Sequence, residues 1–369
     1  MSYDKKSLLI FGGSFDPPHK IHFEMISQAN IFLKPEKIII VPTLLSPFKK
    51  THFASFKDRK KMIESGIKEK KIKGKIEISD FEYEMGRKTY TYEVIAHYSK
   101  KYSGYKIYLL IGSDLLENFN KWKRHKTILK KANLITAIRS GFNHKNKFNA
   151  IFLKKIFPNI SSTNIRKDIL SLNFSKVPYS VKKYILKNNL YFTDILRKVK
   201  LKQTKERFKH TKGVVRLSYE LALKHNVDMK KAVIAAILHD YTRDFSIEGH
   251  RRIIKRYKFK LKAIDKVFKY SPQILHQFTS YLKAKHIFKI KDADVIEAIK
   301  WHSVSEKKRS KLDKLLFVSD FSSYDRNFLE ASKVRKIAFQ NLDKAYKLAK
   351  FYKEKDLKER GLPIWRNFF

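Results

Sequence analysis

The sequence predicts a parallel α/β domain followed by an all-α domain, and three observations carry that expectation. The chain has 369 residues, more than one hydrophobic core usually organises. Short β-rich runs alternate with helical stretches up to about residue 155, the pattern of a parallel sheet with crossover helices. Beyond about residue 195 the alternation stops and only long helical patterns follow. The expected domains are 1–192 and 193–369.

Within the first domain the strand candidates are Ser7–Phe11, Lys37–Val41, Lys75–Ile78, Lys106–Ile111, Asn133–Ile138 and Ala150–Lys154. Between the first two, Ile21–Phe32 carries apolar residues at helical spacing and no proline, as a crossover helix requires. The Gly12-Gly13 turn therefore lies at the carboxyl end of the first strand, where open α/β folds bind ligands close to a helix amino terminus. Val177–Phe192 closes this domain and Thr193–Lys205 is the junction. It holds no Pro/Gly linker, so direct packing and a continuous helix are both open. In the second domain, Asp228–His239, Asp292–His302 and Ser332–Glu354 read as helices.

The composition is that of a folded protein, 43% hydrophobic and 14% aromatic, and no apolar run reaches the roughly 18 residues of a membrane span. The amino terminus runs straight into Leu8-Leu9-Ile10-Phe11 without the features of a secretory signal. A cytoplasmic protein with no membrane association is expected. With no cysteine, disulfides and thiolate chemistry are excluded, and any metal must be held by His, Asp or Glu. The net charge of +47 raises the possibility of a nucleic-acid-binding protein. Only 17 of the 82 basic residues are Arg, however, and the lysines are spread along the chain rather than gathered on one face. That distribution fits a compositional bias with weak, salt-sensitive, non-specific nucleic-acid binding.

Chemistry concentrates first in Gly12-Gly13-Ser14-Phe15-Asp16-Pro17-Pro18-His19-Lys20-Ile21-His22. Glycines let a backbone approach phosphate oxygens, and histidines three apart at a helix start share a face, so a phosphate between His19 and His22 is expected. A second anion-binding candidate is Ser161-Ser162-Thr163-Asn164-Ile165-Arg166, where hydroxyl caps open a helix and an arginine follows. Taken singly, these features are equally compatible with a turn, two surface histidines and a helix cap.

Together they resemble the nicotinate-nucleotide adenylyltransferase family, whose pattern is Gly-Gly-Thr/Ser-Phe-Asp-Pro-x-His-x-Gly-His with a late Ser-Ser-Thr-x-Ile-Arg. The resemblance covers about residues 7–192 and extends to Val41-Pro42, Pro47, Lys49, Arg59, Thr89-Tyr90-Thr91, Gly112-Ser113-Asp114, Trp122 and Arg139. It implies a Rossmann-like nucleotidyltransferase domain that transfers AMP from ATP to nicotinate mononucleotide with Mg2+ and no covalent intermediate. On the matching positions, His19 and His22 would stabilise the triphosphate and the transition state. Ser162, Thr163 and Arg166 would hold its phosphates, and Thr89, Tyr90 and Trp122 would surround the nicotinate nucleotide. Gly12, Gly13, Ser14, Phe15, Lys49, Gly112, Asp114 and Arg139 complete the implied nucleotide-binding set. Ile21 stands where the family has Gly, and Phe48 where it usually has His.

In the second half, His210, His239, Asp240, His276, His302 and Asp320 can build a divalent metal cluster. Ala235-Ala236-Ile237-Leu238 delivers His239-Asp240 into an interior, and similar apolar runs precede His302 and Asp320. An unpaired charge there is costly, so these groups need a partner. His225, His250 and His286 lack that setting and are expected at the surface. The arrangement resembles the HD-domain phosphohydrolases, and more closely their diadenosine-tetraphosphate hydrolase branch, over residues 195–369. That resemblance implies two divalent metals, iron by the family habit, held by the six residues, and hydrolysis of diadenosine tetraphosphate to two ADP. Asp240 would be catalytic, and Arg326 and Arg366 would bind phosphates or nucleotide. Alternatives are another nucleotide phosphoanhydride as substrate, or a regulatory module that binds a nucleotide without cutting it.

Overall fold

The computed structural model describes residues 6–44, 52–142, 148–304 and 309–364 and divides the chain into two compact units. The first comprises Met1–Ile169 and Asn173–Tyr191, the second Leu170–Leu172 and Phe192–Phe369.

Six strands, β1 (Ser7–Gly13), β2 (Lys37–Pro42), β3 (Ile76–Ile78), β4 (Lys106–Gly112), β5 (Asn133–Arg139) and β6 (Ile151–Phe157), form one sheet in the order β3-β2-β1-β4-β5-β6. Every neighbouring pair is parallel. The central strands are continuous apolar runs because both faces are covered. Their alternation sorts them cleanly: Leu8, Ile10, Ile39, Val41, Leu109 and Ile111 pack on one side. Leu9, Phe11, Ile38, Ile40 and Leu110 pack on the other. Strand order reverses between β1 and β4, which makes their carboxyl ends the switch-point crevice of the fold. Helix α1 (Lys20–Leu33) follows β1, and α2 (Phe56–Glu69) and α3 (Thr91–Lys101) precede β3 and β4 respectively. After β6 come α4 (Ser162–Ile169) and α5 (Tyr179–Lys187).

The chain does not pass into the second unit as continuous helix. Tyr191 and Phe192 adopt left-handed backbone conformations (φ 56° and 58°), which interrupt any helical ladder there. The site of the second unit is built by α6 (Lys205–His225), α7 (Met229–Leu238), α8 (Leu275–His286), α9 (Ala293–Lys300) and α10 (Lys311–Phe321). The expected single helix Ser332–Glu354 is two, α11 (Leu329–Ala338) and α12 (Leu342–Glu359). Asn341 causes the break by leaving the helical region and accepting the Lys344 N–H with its side chain, a helix-starting cap. Among the described residues no helix is long and apolar enough to cross a membrane.

Candidate active sites

A cavity of about 750 Å³ opens at the carboxyl ends of β1, β2 and β4. It brings together Gly12, Gly13, Ser14, Thr89, Tyr90 and Trp122, six of the residues expected at a nucleotide site. Tyr90 and Trp122 supply flat faces for a base or pyridine ring, and Lys123 lies 4.4 Å from the Tyr90 ring centroid. Glu82 also lines the cavity, where burial raises its pKa, and accepts the Leu44 N–H at 2.9 Å.

The two histidines meet differently from the expectation. Their rings stack with centroids 3.6 Å apart, and the His19 backbone N–H donates to His22 Nδ1 at 3.2 Å. No phosphate fits between stacked rings, so anions must approach their edges. His19 is 1% exposed, and both its ring nitrogens lack a hydrogen-bond partner among the described residues. Burial, reinforced by the Arg139 guanidinium, lowers its pKa to about 3, so it is neutral at physiological pH. Phe15 packs edge-on against His22, with ring centroids 4.9 Å apart. Arg139 is bound to Asp114, with Nη1 to Oδ2 at 3.3 Å and Nε to Oδ1 at 3.3 Å. This pair requires Gly112, since a Cβ there would fall 2.3 Å from Asp114 Oδ1 and 2.8 Å from Arg139 Nε.

Asp16, which the sequence left without a role, anchors the turn. Its carboxylate accepts the N–H groups of Phe53 (2.9 Å) and Ala54 (3.1 Å) and the Tyr191 hydroxyl (2.8 Å). Burial pushes its pKa up, but His52, Arg166 and these donors outweigh that and hold it well below the usual carboxylate range. Arg166, expected to hold phosphate, is instead 2% exposed. It donates to the Asp16 carbonyl and to Thr163 Oγ1 (3.1 Å) and lies 3.6 Å from the Asp16 carboxylate. Ser162 Oγ donates to the Pro17 carbonyl at 3.1 Å, and Arg59 to that of Ser14 at 2.7 Å. In this arrangement Ser162, Thr163 and Arg166 shape the turn that carries His19. Lys49 lies outside the described residues.

The six predicted ligands of the second unit do converge. His210 Nε2 is 3.1 Å from Asp320 Oδ1, and His276 Nε2 is 3.0 Å from Asp240 Oδ1. His302 Nε2 is 3.5 Å from that same oxygen, and His239 Nε2 lies 3.7 Å from Asp240 Oδ2 and 4.0 Å from Asp320 Oδ1. Two triads are spaced to hold an ion, His210, His239 and Asp320, and His239, Asp240 and His302.

The donor set fits metals, for a reason visible in the hydrogen bonds. His239 Nδ1 faces the Ala236 carbonyl at 2.7 Å, and His302 Nδ1 faces that of Ile299 at 2.8 Å. A carbonyl only accepts, so Nδ1 carries the proton and each Nε2 presents a lone pair inward. His239 Nε2 is buried with no hydrogen-bond partner among the described residues, and the Nε2 atoms of His276 and His302 face each other at 3.0 Å. Lone pairs and carboxylates gathered in this way call for cations among them. Burial lowers the pKa of His239 to about 4 and of His276 to about 3, which keeps both in the ligating form at neutral pH.

Several neighbours were not legible beforehand. Arg207 donates to Asp240 Oδ2 at 2.9 Å, and Arg243 lies 2.7 Å from His276 Nδ1. Arg326, which was predicted, lies 3.3 Å from Asp320. Lys353 stands nearby, with its pKa lowered by burial to about 8. Asp325 accepts from His210 Nδ1 at 2.9 Å, and Gly213 makes room for it, since a Cβ there would sit 2.3 Å from Asp325 Oδ1. A small residue one helical turn beyond His210 was the available sequence signal. His250, expected at the surface, is buried and bonded to Thr279 Oγ1 at 2.8 Å. Thr279 in turn contacts Thr242, which donates to the His276 carbonyl. His225 and His286 are half-buried, and Arg366 lies outside the described residues.

Residues 10–168 match the Cytidylyltransferase-like family and residues 207–327 the HD domain family. The chain is 28% identical to a probable nicotinate-nucleotide adenylyltransferase/Ap4A hydrolase of Mycoplasma genitalium, over 96% of this chain and 100% of that protein. It is 36% identical to a probable nicotinate-nucleotide adenylyltransferase of Campylobacter fetus, over 49% of this chain and 95% of that protein. A solved structure described as a predicted HD superfamily hydrolase involved in NAD metabolism, from Clostridium acetobutylicum, shares 26% identity over 47% of this chain and 89% of that one, with a TM-score of 0.44. The chain belongs, through its first half, to the nicotinate-nucleotide adenylyltransferase family, and its second half carries an HD domain.

Proposed function

We propose that the protein is a bifunctional enzyme, with an adenylyltransferase in residues 1–192 and a metal-dependent phosphohydrolase in residues 193–369. In the first, ATP and nicotinate mononucleotide bind at the switch-point cavity, with Mg2+ accompanying ATP. The mononucleotide phosphate oxygen attacks the α-phosphorus, a new P–O bond forms, and the bond to pyrophosphate breaks. Little covalent work is asked of the protein, and alignment and charge stabilisation do the rest. Neutral His19, together with His22, offers ring-edge donors to the phosphates, Arg139 adds positive charge beside them, and Tyr90 and Trp122 hold the pyridine ring. Asp16 and Arg166 act through the turn.

For the second reaction the reading is symmetric cleavage of diadenosine tetraphosphate by one water to two ADP; the name of the full-length Mycoplasma genitalium relative supports Ap4A hydrolysis. His210, His239, Asp240, His276, His302 and Asp320 would hold two divalent metals, iron being the first choice. Such metals lower the pKa of water and polarise a phosphoryl oxygen. Arg326 meets the substrate phosphates, and Arg207 and Arg243 orient Asp240 and His276.

The observation that carries the hydrolase reading is the inward set of unprotonated Nε2 atoms facing two carboxylates. The experiment is product analysis after separate incubations with ATP plus nicotinate mononucleotide and with diadenosine tetraphosphate plus Fe2+ or Mn2+. Nicotinate adenine dinucleotide in the first and ADP in the second are expected. Absence of either product from folded, metal-loaded protein removes that half of the proposal.

A further inference from the structure

A second cavity, of about 440 Å³, opens beside Asp320 between the end of α10, the start of α11 and the last turns of α12. It is sized for one nucleotide. Its wall carries three kinds of group, drawn from α12 and from the stretch between Asp320 and Glu330. Lys353 comes first, with Arg326 opposite and Asp320 beside it. Lys353 Nζ lies 5.0 Å from the Phe317 ring centroid and makes no hydrogen bond or ion pair among the described residues. The buried Arg326 Nε likewise has no acceptor there. Two cations with spare donors next to a metal-ligand carboxylate make an anion site that continues the metal cluster.

Aromatic surface follows. Phe328 is 41% exposed and Tyr352 half-buried, and both pack around Phe321, with ring centroids at 5.7 and 6.3 Å. An exposed phenylalanine at a pocket rim offers a base a stacking face. Beyond them lie Glu330, Lys355, Asp356 and Glu359, where Lys355 is 3.7 Å from Glu359 and Arg360 is 3.4 Å from Asp356. This rim is mixed in charge, and its carboxylates can accept hydrogen bonds from hydroxyl and amino groups. From Lys353 to Glu359 the helix rises about 9 Å, so this wall is roughly as long as a nucleotide.

We propose that this cavity seats one nucleoside diphosphate half of the substrate, with Lys353 and Arg326 on its phosphates, Phe328 and Tyr352 on its base, and the rim carboxylates on its hydroxyl or amino donors. The assignment rests on the phosphohydrolase reading of the second unit. It makes Lys353 a phosphate-binding residue and Phe328 a specificity residue.

The test is equilibrium dialysis of labelled ADP against the Mn2+-loaded full chain, comparing wild type with Phe328→Ala, Lys353→Met and Lys353→Arg, all checked for unchanged melting. Whatever the first unit binds, these variants leave it untouched. Phe328→Ala and Lys353→Met are expected to weaken one ADP site at least tenfold, while Lys353→Arg keeps it within threefold. Unchanged ADP binding in both of the first two variants overturns the assignment, as does a wild type with no ADP site that they affect. Turnover of diadenosine tetraphosphate by wild type, measured in parallel, judges the hydrolase reading separately. A wild type that binds ADP in this variant-sensitive way yet hydrolyses nothing keeps the seat and loses the reaction.

Discussion

The Asp325 carboxylate lies 2.9 Å from Nδ1 of His210, on the ring edge opposite the Nε2 that faces Asp320. A carboxylate there fixes the proton on Nδ1 and turns the Nε2 lone pair toward the metal position. Asp325→Asn should therefore lower the affinity of one metal about 10- to 100-fold while leaving adenylyl transfer intact. Gly213→Ala should act in the same direction by crowding Asp325. Metal titration followed by elemental analysis reads this, and full occupancy at wild-type affinity in both variants would sink it.

Asp240 stands between both halves of the cluster, with Oδ1 toward His276 and His302 and Oδ2 toward His239 and Arg207. Asp240→Ala is expected to abolish metal binding and hydrolysis together while adenylyl transfer continues. Its complement is His22→Ala, which should suppress adenylyl transfer by 100-fold or more and spare the hydrolase, on the usual scale for a lost transition-state donor. Parallel loss of both activities in either folded variant would contradict independent sites.

Arg166 and Asp16 are both about 2% exposed, so removing one strands the other. Arg166→Ala should cost the first unit about 3–5 kcal/mol of stability in addition to its activity, because a buried charge is left uncompensated. Arg166→Lys should not rescue it, since a single ammonium cannot reach both the Asp16 carbonyl and Thr163. Chemical denaturation followed in the first unit measures this. A change below 1 kcal/mol would contradict a structural pairing of Arg166 with Asp16.

His19 gives the pH dependence a definite sign. Its folded pKa of about 3 lies below the ordinary value of 6.5, so between those limits the unfolded chain binds a proton that the folded one refuses. The stability associated with neutral His19 is complete above pH 6.5 and is lost as pH falls toward 3, by at most about 1.4 kcal/mol per pH unit. His19→Asn should flatten the stability profile of the first unit between pH 6.5 and 4. An identical slope in wild type and variant would mean that His19 takes up its proton while folded.

The strands were legible in sequence because a doubly covered parallel sheet writes itself as apolar runs, as in Leu8-Leu9-Ile10-Phe11 and Ile38-Ile39-Ile40-Val41. Among the metal-ligand candidates, His239, Asp240, His302 and Asp320 were legible because each follows an apolar run. What stayed hidden depends on distant pairing. Asp16 gains its meaning from Phe53, Tyr191 and Arg166, and Lys353 from Asp320 and Arg326, none of them local in sequence. His250 looked like a surface residue because its partner, Thr279, lies on another helix. The break at Asn341 was missed because one capping side chain outweighed a helical pattern that continues on both sides.

The central claim is that one chain carries two working nucleotide enzymes, and the hydrolase half is its most exposed part. The direct measurement incubates the purified full chain with diadenosine tetraphosphate and Fe2+ or Mn2+ under reducing conditions and resolves the products by chromatography. Two ADP per substrate consumed is the predicted result. No turnover by protein shown to hold its metals, or AMP and ATP as the products, would contradict it.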